Sequence, residues 1–447
     1  MKTSFLILMN KLATLICKIF RKNGSVFPGS LVVPFDKSIL RKVKYPKYVV
    51  GVSGSSGKGS TTSLVAHILK KAGYKVVWNK SGSNLVNAAV TLILNNTGIF
   101  THRLKGDVLL LELDESYIDK IFDKGTLTHL LLTNITRDQP ARNGHPEIIL
   151  EKIKNSISPD LHLIINADDP FLNRFKYSHN GVITTYGIGK NKYSSASIIN
   201  YPIDAAYCPL CQKKLKYSFY HYGHLGKYTC PNCEFTRGKL DYEAKDINLD
   251  KSFITINDSL IHLNKNIFFA VYYTLAAYAL CSTLLVSEEV LKEALNVDIM
   301  PSKRMQELKI DDRKILMLES KNENNLSYLQ SLTYIKNQPG LKTVILGFDN
   351  VSRRYKENDL SWLYDVDFSN LNDKSINKIF CIGRFKYDVR TRLKYDNIPD
   401  DKIVLVENLN KLVDIIKENS VGDIYTMVCF DMTALINKKV REYNENN

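Results

Sequence analysis

The chain has no apolar run long enough to cross a bilayer: nothing in its 447 residues approaches the roughly 20 consecutive apolar positions that a spanning helix needs. It also lacks a complete signal peptide. The stretch MKTSFLILMNKLATLICKIFRKNG starts like one, but Asn10 and Lys11 interrupt its apolar run and no small-residue cleavage site follows. It reads as an amphipathic helix. Docking on the domain behind it is the plainer role, and a peripheral contact with a membrane surface is the sharper one. A disulfide framework is missing as well. Of eight cysteines, four form two close pairs, while Cys17, Cys281, Cys381 and Cys429 are scattered in apolar surroundings, which suits a reducing cytoplasm. The scattered four also lack the flanking glycines of a tight nucleophile turn, so this chain is not expected to hydrolyse glutamine by itself.

With 44% hydrophobic and 24% charged residues, the sequence reads as folded, and its length favours two or three domains. The formal charge of +15 is spread along the chain and favours anionic partners without choosing among nucleotides, lipid headgroups, nucleic acid or a phosphorylated substrate.

Apolar runs with polar or acidic C-terminal ends alternate with helical patterns: YVVGVSG, YKVVWN, DVLLLELDE, THLLLTNI and LHLIINADD. A mostly parallel sheet with its ligand site at the strand ends looks like this. From about 190 to 245 the composition shifts to Tyr, Lys and Cys with little periodicity, suggesting an inserted module; the helical FFAVYYTLAAYALCSTLL then resumes the first domain. A second α/β series (KILMLES, KTVILGFD, KIFCIGR, KIVLVE, DIYTMVCF) follows. The expected boundaries are 1–46 for the helix and lead-in, 47–299 for the first α/β domain with an insert at 203–240, and 300–447 for the C-terminal domain.

The stretch GVSGSSGKGSTTSLVAHIL carries the first chemical signal. Gly51, Gly54, Gly57 and Lys58 lie between a strand and a helix, as a phosphate-binding loop requires: glycines let backbone N–H groups face the phosphates and the lysine reaches the β and γ positions. Gly59 displaces the usual hydroxyl residue, which makes Ser60 the candidate for Mg²⁺. In LLLELDES, Glu112, Asp114 and Glu115 follow an apolar strand, where a carboxylate can hold the magnesium of a bound nucleotide; a solvated strand end is the plainer reading. TNITRDQPARNG offers Asn134, Arg137 and Asp138 at another strand end, and a solvated loop explains it nearly as well. CPLC (Cys208, Cys211) and CPNC (Cys230, Cys233) are separated by 18 residues, the spacing of a four-thiolate zinc ribbon; with every ligand place filled by protein, the metal is structural.

Taken with SGSNLV, ELDE, NADDPF, RMQ, DLSWLYDVDF and RTRLKY, these motifs resemble the Mur ligase family nearly end to end, and in particular its amidating synthetase subunits. The resemblance implies an α/β chain: a P-loop Mur ligase central domain with an inserted four-cysteine zinc ribbon, then a C-terminal Rossmann-like domain. It implies ATP-dependent amidation of the D-glutamate α-carboxylate in the stem peptide of lipid II, through an acyl phosphate. The implied cofactors are ATP, Mg²⁺ and structural Zn²⁺. The implied partners are lipid II or a related precursor and a GatD-like glutaminase subunit in a heterodimer, with no nucleic acid. By the same resemblance Gly54, Gly57, Lys58, Gly59, Ser60 and Thr61 surround the ATP phosphates, and Ser60 and Glu112 take magnesium. Asn134, Arg137 and Asp168 contact nucleotide, and Arg304 lies at the domain hinge. Asp359, just before the Ser-Trp pair, completes the partner's Cys-His pair, a helix N-cap being its plainer role.

This chain departs from the family at Gly59-Ser60, which resembles folylpolyglutamate synthases, at Pro140 to His145, at Ala270 and Tyr273, and at the RRYKEN before Asp359. An amino-acid-adding ligase therefore stays open. A nucleic-acid-binding ATPase has only the ribbon, the loop and the charge in its favour.

Overall fold

The computed structural model describes residues 1–80, 85–137, 144–197, 203–296, 305–318, 325–349 and 359–446. The chain divides into two compact units. One comprises Met1–Ile135, Glu147–Ala196 and Ala205–Pro301; the other comprises Thr136–Pro146, Ser197–Asp204 and Ser302–Asn447.

In the first unit the five apolar runs become strands β1 (Tyr48–Ser53), β2 (Val76–Trp78), β3 (Val108–Glu112), β4 (His129–Leu132) and β5 (His162–Asn166), and β6 (Ile183–Ile188), which the sequence pattern did not mark, follows them. All five residues of β3 are buried, as are the last five of β1. Continuous rather than alternating burial is what a parallel sheet covered on both faces demands. The order β2-β3-β1-β4-β5-β6 is parallel throughout and continues into β9 (Tyr242–Asn248). Its far edge is an antiparallel meander of β9, β10 (Phe253–Ile256) and β11 (Ser259–His262). The sequence pattern gave no sign of this edge, because β9 mixes Glu243, Lys245 and Asp246 into its length and β10 and β11 are only four residues each. Helix Phe268–Thr283 lies where its pattern put it and is buried continuously from Ala270 to Cys281.

A separate hairpin, β7 (Lys216–Tyr222) with β8 (Leu225–Thr229), separates the cysteine pairs and shares a small core of Leu215, Tyr228 and Phe235 with them. At the N-terminus α1 (Lys2–Ile19) buries Leu6, Ile7, Asn10, Ala13 and Cys17 and packs with α2 (Phe27–Val32) and α4 (Val86–Asn95). The Asn10 Nδ2 donates to the Thr91 carbonyl at 3.2 Å and to Asn95 Oδ1 at 2.9 Å, so the helix is pinned along one face. No described helix is long and apolar enough to cross a membrane.

The second unit holds β12 (Met305–Ile310), β13 (Arg313–Leu318), β14 (Lys342–Gly347), β15 (Ile376–Ile382), β16 (Ile403–Leu405) and β17 (Asp423–Val428) in the order β12-β13-β17-β14-β15-β16. Five strands are parallel, as the second alternating series implied. β12 adds an antiparallel edge against β13. The expected α/β class therefore holds for both sheets.

Candidate active site at the phosphate loop

β1 ends at Ser53 and α3 (Lys58–Lys71) begins five residues later, so a helix N-terminus points out of the middle of the sheet. Two glycines make this turn possible. Gly54 has φ +125°, and a Cβ there would come within 2.3 Å of Thr133 Oγ1 and 2.8 Å of the Asn134 carbonyl; Gly57 caps α3 at φ +83°. The first turn of α3 carries no acidic residue, which leaves its dipole free to favour an anion.

The loop is held from two sides. The Asn134 carbonyl accepts from the Ser55 N–H at 2.7 Å, and its side chain accepts from the Ser56 N–H and donates to the Ser56 carbonyl, both at 3.1 Å. The Glu115 Oε1 accepts from the Gly54 N–H at 2.8 Å and from the Lys58 ammonium at 3.0 Å. Lys58 and Glu115 are both buried, and the lysine also donates to the Gly54 carbonyl, so it lies folded back on its own loop. Asn134 thus organises the loop backbone, and Glu115, which the motif reading passed over for Glu112, clamps both glycine and lysine.

Two groups remain for a cation. Thr61 and Thr62 bond their hydroxyls back to the Gly57 and Lys58 carbonyls, whereas the Ser60 hydroxyl makes no such bond among the described residues. Glu112 lies opposite Val52 in the β1–β3 register; Asn79 clasps its backbone at both N–H and C=O, while its buried carboxylate pairs with no described residue. A hydroxyl and an unpaired, buried carboxylate beside a helix N-terminus fit a magnesium ion, which takes oxygen ligands.

Other expected residues stand apart. Asp168 follows β5, two strands from β1, and is fully buried. Its carboxylate accepts from Arg237 Nη1 at 2.7 Å, the Ile188 N–H at 2.8 Å and the Tyr272 hydroxyl at 2.8 Å. These bonds tie the cysteine module and helix Phe268–Thr283 to the sheet. Arg137 pairs with Asp204 at 2.6 Å and Asp365 at 2.9 Å, linking two motifs within the second unit. Burial pushes the Asp365 carboxyl up against the pull of that guanidinium. Asp359 is half-buried and its Oδ1 accepts from the Ser361 N–H at 2.8 Å, a local turn just ahead of the short 3-10 helix Ser361–Asp365, whose N-cap position is Leu360. Arg304, Asp138 and the run Pro140–Asn143 lie outside the described residues. Tyr273 is buried with its hydroxyl donating to Asn264 at 2.6 Å.

The Sγ atoms of Cys208, Cys211, Cys230 and Cys233 all lie within 4.8 Å of one another. A tetrahedral zinc with bonds of about 2.3 Å separates its sulfurs by about 3.8 Å, so the cage fits that ion. The N–H groups of Leu210 and Asn232 point at Cys208 and Cys230 sulfurs at 3.4 Å, stabilising thiolates. Cys281 and Cys381 lie in the interiors of a helix and a strand, and burial pushes the Cys381 thiol up to about 12, so neither is an activated nucleophile.

Comparison with known proteins recognises a domain in each half of the chain. The Mur ligase middle domain matches residues 52–234, and the MurT ligase C-terminal domain matches residues 322–434. The lipid II isoglutaminyl synthase (glutamine-hydrolyzing) subunit MurT of Staphylococcus aureus strain COL is 29% identical over 388 residues, 86% of each chain. Its Streptococcus pneumoniae R6 counterpart is 26% identical over 419 residues, covering 92% of this chain and 91% of its own. Among solved structures, a pseudomurein peptide ligase type C from Methanothermus fervidus shares the fold with TM-score 0.68 at 22% identity, over 91% of this chain and 80% of its own. MurF from Thermotoga maritima, solved with ADP, matches with TM-score 0.58 at 16% identity, over 93% and 84%. With both domains of one architecture in the same order, and similarity running over most of the chain, this protein belongs to the Mur ligase family, with a C-terminal domain of the MurT type.

Proposed function

We propose that the chain is the synthetase subunit of a lipid II isoglutaminyl synthase, amidating the α-carboxylate of D-glutamate in the stem peptide during peptidoglycan synthesis, on the cytoplasmic side where ATP is available. The supporting observation is the loop constellation of Lys58, Ser60 and Glu112 at the N-terminus of α3, on a chain similar to MurT subunits over most of its length.

A carboxylate is a poor electrophile because oxide is a poor leaving group. In this reading a carboxylate oxygen attacks the γ-phosphorus of ATP, ADP departs, and an acyl phosphate forms. Ammonia then adds its lone pair to the acyl carbon, phosphate leaves, and a proton is lost to solvent. The α3 N–H groups and Lys58 meet the charge on the transferring phosphoryl group. Lys58 exchanges Glu115 for the β and γ oxygens as nucleotide enters. Ser60 and Glu112 would hold magnesium, which supplies further charge neutralisation there when bound. The zinc ribbon has no open coordination place and serves the fold.

Ammonia comes from a GatD-like glutaminase partner, and Asp359 is assigned to completing that partner's Cys-His pair. Asp359→Asn is therefore expected to abolish glutamine-driven turnover of the complex while sparing turnover driven by ammonium chloride. The test of the whole reading is ADP release by the purified chain with Mg²⁺-ATP and lipid II, with and without ammonium, together with the product's mass. ADP and a hydroxyl-to-amino mass change that both require ammonium support the amidation. Turnover driven by an amino acid instead would make the chain an adding ligase of the Mur or folylpolyglutamate type.

A further inference from the structure

We infer that the outward face of α1, with the α2 segment beside it, is a docking surface for an anionic lipid bilayer. Along α1, Phe5, Leu8, Leu12, Leu15 and Ile19 recur at intervals of three and four, Ile16 joins them on the same face, and all six are exposed, Phe5 by 64% and Ile19 by 67%. They occupy the face opposite the buried Leu6, Asn10, Ala13 and Cys17. The α2 segment adds exposed Phe27 and Phe35. A helix that buries one apolar side and presents another to solvent has two partners, of which the sheet domain is only the first.

Charge selects the second partner. Residues 1–35 contain five basic side chains (Lys2, Lys11, Lys18, Arg21 and Lys22) and no acidic one. Asp36, bound to Lys42 at 2.6 Å, is the only acidic residue before Asp107. A second copy of this face would bring like charges together as it buried the apolar stripe. An anionic bilayer satisfies both features at once: the apolar side chains enter the headgroup boundary while Lys18, Arg21 and Lys22 at the helix end meet lipid phosphates. The helix cannot turn upright to span, because Asn10, Lys11 and Thr14 are hydrogen-bonded to α4, Lys11 Nζ donating to the Asn95 carbonyl at 2.6 Å. It lies flat, with its long axis along the surface.

This surface takes no part in ATP handling, and the inference stands whether or not the amidation reading holds. The full chain is to be sedimented with vesicles of phosphatidylglycerol and phosphatidylethanolamine, and with vesicles of phosphatidylcholine alone. Pelleting with the anionic vesicles, about tenfold weaker on the neutral ones, is the expected result. Leu12→Glu/Ile16→Glu/Ile19→Glu should abolish it with zinc content and thermal midpoint unchanged, since all three side chains are exposed. Lys18→Gln/Arg21→Gln/Lys22→Gln, which leaves the apolar stripe intact, should weaken it and remove most of its salt dependence. A chain that stays in solution with both vesicle types, or a triple-Glu variant that pellets like the parent, overturns the inference. So does light scattering that shows a dimer which the triple-Glu variant dissociates, because the face would then belong to a second copy.

Discussion

Substituting Asp168 separates two roles for one carboxylate: a nucleotide contact, as the family resemblance implies, and a structural clamp. Three donors converge on it, at 2.7 Å from Arg237 and 2.8 Å each from the Ile188 N–H and the Tyr272 hydroxyl, with no exposure to solvent. Asp168→Ala leaves a buried guanidinium without its nearest partner. Breaking a buried ion pair from one side costs about 3–5 kcal/mol, and each orphaned buried donor costs about 1–3 kcal/mol more. Arg237 keeps some compensation, since Nη1 also donates to the Ile188 carbonyl at 2.8 Å and Nη2 lies 3.5 Å from Glu243. The low end, about 3 kcal/mol for the pair and about 1 kcal/mol for each of the two other donors, or about 5 kcal/mol in all, is therefore expected, and at about 2–4 °C per kcal/mol for a unit of this size it lowers the melting midpoint by about 10–20 °C.

Asp168→Asn keeps the shape but turns one acceptor into a donor facing donors, so it should lose roughly half as much. Scanning fluorimetry reads the midpoint, and calorimetric titration with a non-hydrolysable ATP analogue reads the affinity. The clamp predicts a large thermal loss with nucleotide affinity little changed in the protein that remains folded. An Asp168→Asn chain that melts like the parent but binds the analogue about tenfold or more weakly would refute the structural argument and restore the nucleotide contact.

Lys58→Ala should lower ADP formation about a hundredfold or more, because in the proposed reaction it removes a cation that meets the charge on the transferring phosphoryl group. Glu115→Gln should tighten nucleotide binding severalfold, since Glu115 holds the lysine at 3.0 Å in competition with phosphate while a glutamine oxygen can still accept from the Gly54 N–H. Cys230→Ser should abolish stoichiometric zinc by elemental analysis and lower the midpoint of the first unit, because Tyr228 and Arg237 on the same module bond to the Ala167 carbonyl and to Asp168. Burial, reinforced by the neighbouring His162, pulls the His129 imidazole down from 6.5 to about 4. Below pH 6.5 the unfolded chain takes up a proton that the folded chain refuses until about pH 4, so stability falls as pH drops through that window. Discounted for partial solvent access, the loss is about 2 kcal/mol, and His129→Gln should flatten that part of a urea-denaturation pH profile.

What could be read from the sequence was whatever a local pattern determines. The β1-loop-α3 unit follows from apolar burial, glycine and lysine within a dozen residues. The cysteine cage follows from two short spacings, and the parallel strands from their unbroken apolar runs. The antiparallel edge β9–β11 stayed hidden because β9, with three charged residues, resembles a loop in composition, and β10 and β11, four residues each, are too short to show a period. The partners of the motif residues stayed hidden for a different reason. Glu115 and Lys58 are 57 residues apart, Asp168 and Arg237 are 69 apart, and Arg137 and Asp204 are 67 apart. No periodicity links positions that only the fold brings together.

That distance explains why Asn134 and Asp168 could be matched to a motif without their work being visible. A motif residue near a ligand site has two ways to matter: to touch the ligand, or to hold the group that does. Sequence cannot separate these, because both ask for the same side-chain chemistry. Geometry separates them by saturation. Asn134 is engaged with Ser56 through both ends of its amide, and Asp168 has no exposed surface, whereas the Ser60 hydroxyl and the Glu112 carboxylate are unengaged among the described residues. A bound nucleotide and its cation need groups with bonding capacity left over. By that criterion the proposed reaction is assigned to the end of β3 and the first turn of α3, with the asparagine and aspartate of the neighbouring strands holding the frame around it.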